Sequence, residues 1–146
     1  MSTLNTEILA ERASVVISSL QHIHKGLSSE KAFIPGTQAT DALLFHFWLA
    51  TKVVLATARA CCNNLSLKKP LNYTESFRLL AEGGFLEPRL ARRLMDIAGL
   101  FNLIPHASKN KQYFYLTMKK CPSDFIAFFV AAHHWLLKHS SSRYHL

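Results

Sequence analysis

Cysteine, glycine, proline and acidic residues are all scarce in this chain, and each scarcity excludes something. Three cysteines, two of them adjacent at Cys61 and Cys62, do not make a disulfide framework. Neighbouring cysteines on a helix point in different directions and do not readily bond to each other. A reducing compartment is the expectation. Five glycines and five prolines in 146 residues, with 49% apolar residues, argue against disorder except at the ends. Nine acidic residues face seventeen basic ones, a formal charge of +8. That balance favours an anionic partner, RNA or an acidic protein ahead of a membrane. The longest apolar runs, 42–51 and 125–132, are too short and too punctuated to span a bilayer. Met1 to Glu7 has neither the basic start nor the apolar run of a signal peptide, so a cytoplasmic protein is expected. No Gly-rich phosphate loop, CxxC pair or GxSxG elbow occurs.

What is present is helical patterning over a single domain, 1–146. Leu4, Ile8, Leu9, Val15, Val16, Leu20 and Ile23 repeat near helical period, with Asn5 or Thr6 as cap and Gly26 as stop. A second helix is expected from Thr40, as its cap, to Cys62 or Asn63. Leu43, Leu44, Phe47, Trp48, Val54, Leu55 and Ala58 make it apolar almost all round, which suits a helix central to a bundle or shared between subunits. A two-fold dimer built on the second and fourth helices follows from that surplus. Thr74 should cap a short helix ending at Gly83 and Gly84. Pro88 then suits the first turn of the fourth helix. Tyr113 to Met118 is ambiguous between strand and helix, and Pro122 opens the last helix. That helix carries Phe125, Phe128, Phe129, Ala132, Trp135 and Leu136 inward, and 140–146 should fray. The fold class is all-α, an up-and-down bundle of four or five helices. His22 and His24 read as surface residues and His133, His134 and His139 as structural ones, none having the spacing of a metal site; neither a metal nor a cofactor is expected.

The chain is organised around Leu90 to Ser108. Leu90, Leu94, Ile97, Leu100 and Leu103 recur at three- and four-residue steps on one helix face. Asn102 and His106 lie four apart, so an unbroken helix would stack them on another face. An amide beside an imidazole could orient a phosphodiester and move its protons. Pro105 disfavours helical geometry at Ile104, so the helix should end or kink there and leave His106 at its C-terminal lip. Equally, the pair could simply cap a helix end.

The segment from Ala81 to His106 resembles the HepT-like branch of the HEPN families, minimal all-helical toxins paired with a nucleotidyltransferase antitoxin. Gly84, Leu90, Ala91, Met95, Gly99, Asn102 and His106 fall where that pattern expects them. The family's motif arginine is Phe101 here, its valine is Pro105, and its tyrosine is Ser108. The resemblance takes in the preceding long helix and implies a HEPN-like two-fold dimer with both motif copies in the interface cleft. It also implies metal-independent RNA cleavage, in which His106 moves the proton, Asn102 assists and an arginine neutralises phosphate charge. With Phe101 in the arginine's place, the expectation is a toxin of weak or absent activity, its Ser108 a poor acceptor for nucleotide transfer by the antitoxin. Arg93 would have to span about 12 Å of helix axis to stand in for the lost guanidinium. Arg89, Arg92, Arg93, Lys109 and Lys111 are the candidate RNA contacts. The alternative is a non-catalytic helical dimer that binds a nucleotide, RNA or an acidic protein.

Overall fold

The computed structural model describes residues 4–65 and 67–144, with side chains described through Lys138. Five α-helices follow one another: α1 (Thr6–Gly26), α2 (Gln38–Asn64), α3 (Tyr73–Glu82), α4 (Pro88–Phe101) and α5 (Lys111–Tyr144). A 3₁₀ segment, Ile104–Lys109, joins the last two, and no strand occurs among the described residues. The all-α bundle is as expected.

Capping sets the helix starts. The Asn5 side chain accepts from the Ile8 N–H at 2.8 Å, as its position suggested. At α2 the cap is Thr37 rather than Thr40. Thr40 is buried one turn in, where its hydroxyl oxygen accepts from the Ile34 N–H at 2.9 Å and ties the connector down. At α3 the cap is Asn72 rather than Thr74, its side chain accepting from the Glu75 N–H at 2.9 Å. In both cases the true cap stands earlier than the chosen one and reaches the third residue after it.

α1 and α2 form an antiparallel hairpin. Asn64 brackets the backbone of Leu4 with two hydrogen bonds, and His22 stacks on His46 at the far end. By length and composition α2 could cross a membrane. Here it is the core helix, packed by α1 on one side and by α3 and α4 on others. Phe47, Ala50, Val54, Leu55 and Ala58 are almost wholly buried, so most of the apolar surplus of α2 is absorbed inside the protomer. Phe47, Phe77, Phe114 and Phe128 meet edge to face, linking α2 and α3 to α5. Each buried phenylalanine contributes about 1.5–3 kcal/mol.

One ambiguity is resolved and one expectation fails around α5. It begins at Lys111, so Tyr113 to Met118 is helix rather than strand, and Pro122 lies inside rather than at its start. Proline there removes the N–H that would bond the Met118 carbonyl. The Cys121 thiol donates to that same carbonyl at 3.8 Å, which offsets part of the loss. The expected frayed tail, 140–146, falls at the end of this helix, with its side chains and 145–146 outside the described residues.

Candidate functional site

The organising stretch divides into three parts. α4 starts on Pro88 in its first turn and buries Leu90, Leu94, Ile97 and Leu100. It stops at Phe101, three residues before the expected break at Ile104, with Asn102 as its C-cap. Leu103 is therefore off the buried stripe and 41% exposed. Ile104 to Lys109 then takes 3₁₀ geometry with Pro105 near its start. The reason lies in Pro105: its missing N–H and its restriction of Ile104 make a last α-turn unfavourable. The chain instead turns through Leu103, whose N–H donates to the Leu100 carbonyl at 2.9 Å.

This geometry decides what Asn102 and His106 can do. Both are exposed, but they do not stack on one helix face, because the helix that would align them has ended. His106 is itself non-helical, at φ −113° and ψ 29°. Its N–H donates to the Leu103 carbonyl at 2.8 Å, and its own carbonyl accepts from the Asn110 side chain at 3.0 Å. Asn110 thus fastens the 3₁₀ segment to the start of α5 and leaves the imidazole facing outward. Phe101 is half-buried and packs against its own core. Ser108 and Lys109 are exposed, and Lys111 is partly covered at the start of α5.

The arginines separate into two roles. Arg89 and Arg92 are exposed on α4. Arg93 is held elsewhere: its Nε donates to Asp124 Oδ1 of α5 at 2.8 Å. Asp124 is nearly buried, so this pair anchors α4 to α5, and Arg93 does not extend toward the position of Phe101. Beside it lies a hollow of 260 Å³ between the two helices, lined by Asp96, Tyr113, Thr117 and Lys120 among others. Of the candidate RNA contacts only Arg93 borders it. Sequence reasoning missed the α5 side of this hollow. Tyr113, Thr117, Lys120 and Asp124 do recur at helical steps, but Pro122 disguised the helix they share.

The cysteines offer no nucleophile. Burial pushes the Cys61 and Cys121 thiols up to about 12, with the neighbouring Cys62 and Asp124 adding to the effect. Thiolates are the reactive form, so these groups are inert near neutrality. Among the described residues, no group of three His, Cys, Asp or Glu side chains could hold a metal ion.

The architecture is that of the HEPN bundles. Within that class the chain has the HepT-like fold. An MntA–HpeT toxin–antitoxin complex bearing two substitutions superimposes with a TM-score of 0.77 at 16% identity, covering 87% of this chain and 98% of the other. The tri-AMPylated HEPN toxin of Shewanella oneidensis, solved in complex with its MNT antitoxin, gives 0.78 at 18% identity over 88% and 98%. A toxin–antitoxin structure with AMP-PNP gives 0.78 at 17% identity over 87% and 98%. No protein-family model matches the sequence, and neither does any curated protein.

Proposed function

We infer that this chain is the toxin-side component of a toxin–antitoxin pair, a HepT-like protein held by a nucleotidyltransferase-fold antitoxin. One observation carries the reading: the fold matches nearly the whole length of toxin chains from solved toxin–antitoxin complexes. The ancestral chemistry is metal-independent cleavage of RNA, with His106 as the proton-moving group and Asn102 beside it. In this chain that chemistry is weak or lost. Phe101 supplies no charge for the phosphate, Arg93 is engaged by Asp124, and Asn102 and His106 share no helix face. Removing one such electrostatic contact costs about 10²–10³ in rate. The protein works as a homodimer in the cytoplasm, and Arg89, Arg92, Lys109 and Lys111 are its remaining free-standing cations for RNA.

The loss of the arginine favours a second reading, a non-catalytic helical dimer that binds a nucleotide, RNA or an acidic protein. A search of the flanking reading frames for a nucleotidyltransferase-fold protein, followed by co-expression with it, separates the two. A stable complex on affinity purification is expected. Incubation with ATP should add no AMP mass at Ser108, whose hydroxyl is shorter and less acidic than a phenol. Absence of any such neighbour or complex would overturn the toxin reading. AMP adducts that vanish in Ser108→Ala would overturn the claim about Ser108.

A further inference from the structure

One face of α2 stays outside the core, and it carries rings and cations in alternation. Phe45, Trp48, Lys52 and Arg59 follow one another at three-, four- and seven-residue steps, which sets them in one stripe along the helix. Phe45 is 54% exposed, and its ring stacks on that of Trp48 with centroids 6.1 Å apart. His46 meets Phe45 edge to face from the other side, so the ring is already held in place. The Lys52 ammonium sits over the Trp48 ring, 4.7 Å from its centroid. Further along, the Arg59 guanidinium lies 5.9 Å from the ring of Tyr73, which is exposed at the start of α3. Lys68 and Lys69 stand exposed in the loop between the two helices. Asp41 is the only carboxylate of α2, and it is occupied at the helix start, accepting from the Gly36 N–H at 2.8 Å.

We propose that this outer face of α2 binds single-stranded RNA, its rings stacking the bases and its cations holding the phosphates between them. Aromatic rings interleaved with a basic track are what gripping a single strand without sequence preference requires, since every base has a π face. Trp48 and Tyr73 each have a cation beside them, so a nucleotide stacked there brings its phosphate to a waiting charge. Rings fixed before binding lose little freedom when a base arrives. From Phe45 to Arg59 the stripe runs about 21 Å, room for about four nucleotides, the lower end of single-strand site sizes.

Charge speaks against a second copy on this face. A two-fold contact is self-complementary, and with Asp41 engaged it would set Lys52 and Arg59 against cations alone. The cores of protein interfaces are depleted in lysine. An acidic protein would answer the cations and leave the rings without a use. The stripe lies on a different helix from Arg89 and Arg92 and apart from Lys109 and Lys111, so the proposal needs neither cleavage at His106 nor the toxin reading.

The test uses the full chain carrying His106→Ala and Trp135→Phe, in EDTA, so that RNA stays intact and Trp48 is the remaining one of two tryptophans. An unstructured uridylate oligomer of about 12 nucleotides should quench Trp48 fluorescence saturably. Phe45→Ala should weaken binding about fivefold or more. Lys52→Ala and Arg59→Ala should each take about 0.7 from the slope of log Kd against log salt. All three positions are exposed, so far-UV circular dichroism should not change. Should Trp135→Phe disturb folding, the anisotropy of a labelled oligomer on the His106→Ala chain reads the same three variants. An oligomer that leaves Trp48 unquenched overturns the proposal. An affinity that none of the three substitutions moves overturns it too, while leaving RNA binding through Arg92 and Lys109 intact. Equal quenching by polyglutamate would mark a site for an acidic protein instead. Phe45→Ala that splits a dimer with RNA affinity unchanged would mark a protein interface, and either result sinks the RNA assignment.

Discussion

Replacing Phe101 by arginine and Pro105 by valine tests the proposed loss of ribonuclease chemistry at the organising stretch. Phe101→Arg places a guanidinium at the end of α4 and exchanges a half-buried ring for a long chain that can lie along the same surface. Losing half of a phenylalanine's burial costs about 1–1.5 kcal/mol, a fall of roughly 3–5 °C in Tm. The change in rate should be larger. A positioned charge at a developing phosphorane is worth about 10²–10³, but only if His106 shares its geometry. In the wild type it does not, since α4 has ended before Asn102. Pro105→Val restores the missing N–H and releases Ile104, so α4 can run on by one turn and bring His106 toward the face of Asn102. The single arginine variant should therefore gain little, and the double variant should cleave a fluorogenic single-stranded RNA in EDTA at least tenfold faster than wild type. His106→Ala on that background should abolish the gain. The reasoning is refuted if wild type already cleaves at the rate of the double variant and His106→Ala removes that activity.

Two further outcomes follow from the packing. Burial, aided by the His22 ring stacked at 4.2 Å, holds His46 below the ordinary imidazole value, and its Nδ1 is buried without a partner. The unfolded chain takes up that proton near pH 6.5 and the native chain only lower. Stability is thus complete above that pH and declines as pH falls through the native value; urea midpoints should drop below pH 6.5 in wild type and less in His46→Gln, and equal slopes would contradict the assignment. Arg93→Met strands the nearly buried Asp124 and should cost about 1–3 kcal/mol. Adding Asp124→Met should recover much of it by thermal melting, whereas additive losses would mean that the pair does not couple.

Legibility from the sequence followed the strength of local signals. Asn5 through its side chain and Pro88 through its ring mark helix starts, and the structure uses both as read. α1 does end at Gly26, but the cap is Leu27 in extended geometry, and Gly26 instead lets Leu43 of α2 approach, where a Cβ would lie 2.7 Å from its Cδ2. The buried stripe of α4 was equally plain up to Leu100. Errors arose where a local signal had a tertiary answer. Thr40 looks like a cap but serves the connector, and Thr37 was hidden because several hydroxyls and amides lie within one turn. Pro122 looks like a helix start, yet the packing of Phe114, Met118 and Phe125 on both sides carries α5 straight through it. The candidate site was legible as a set of residues and not as a geometry. Nothing in Asn102 or His106 shows that α4 ends a turn early, since that depends on where Leu100 and Ala107 find their burial.

The order in which α2 finds its neighbours has a consequence during synthesis. α1 is already made when α2 emerges, so the hairpin can form at once from contacts close in sequence. Phe47, however, awaits Phe114, and Phe77 awaits Phe128. The last turn of α5 is translated eighty residues after the end of α2. At about 5–20 residues per second that leaves roughly 4–16 seconds on the ribosome. Through that interval the most apolar helix of the chain, long enough to be mistaken for a membrane span, has one side uncovered.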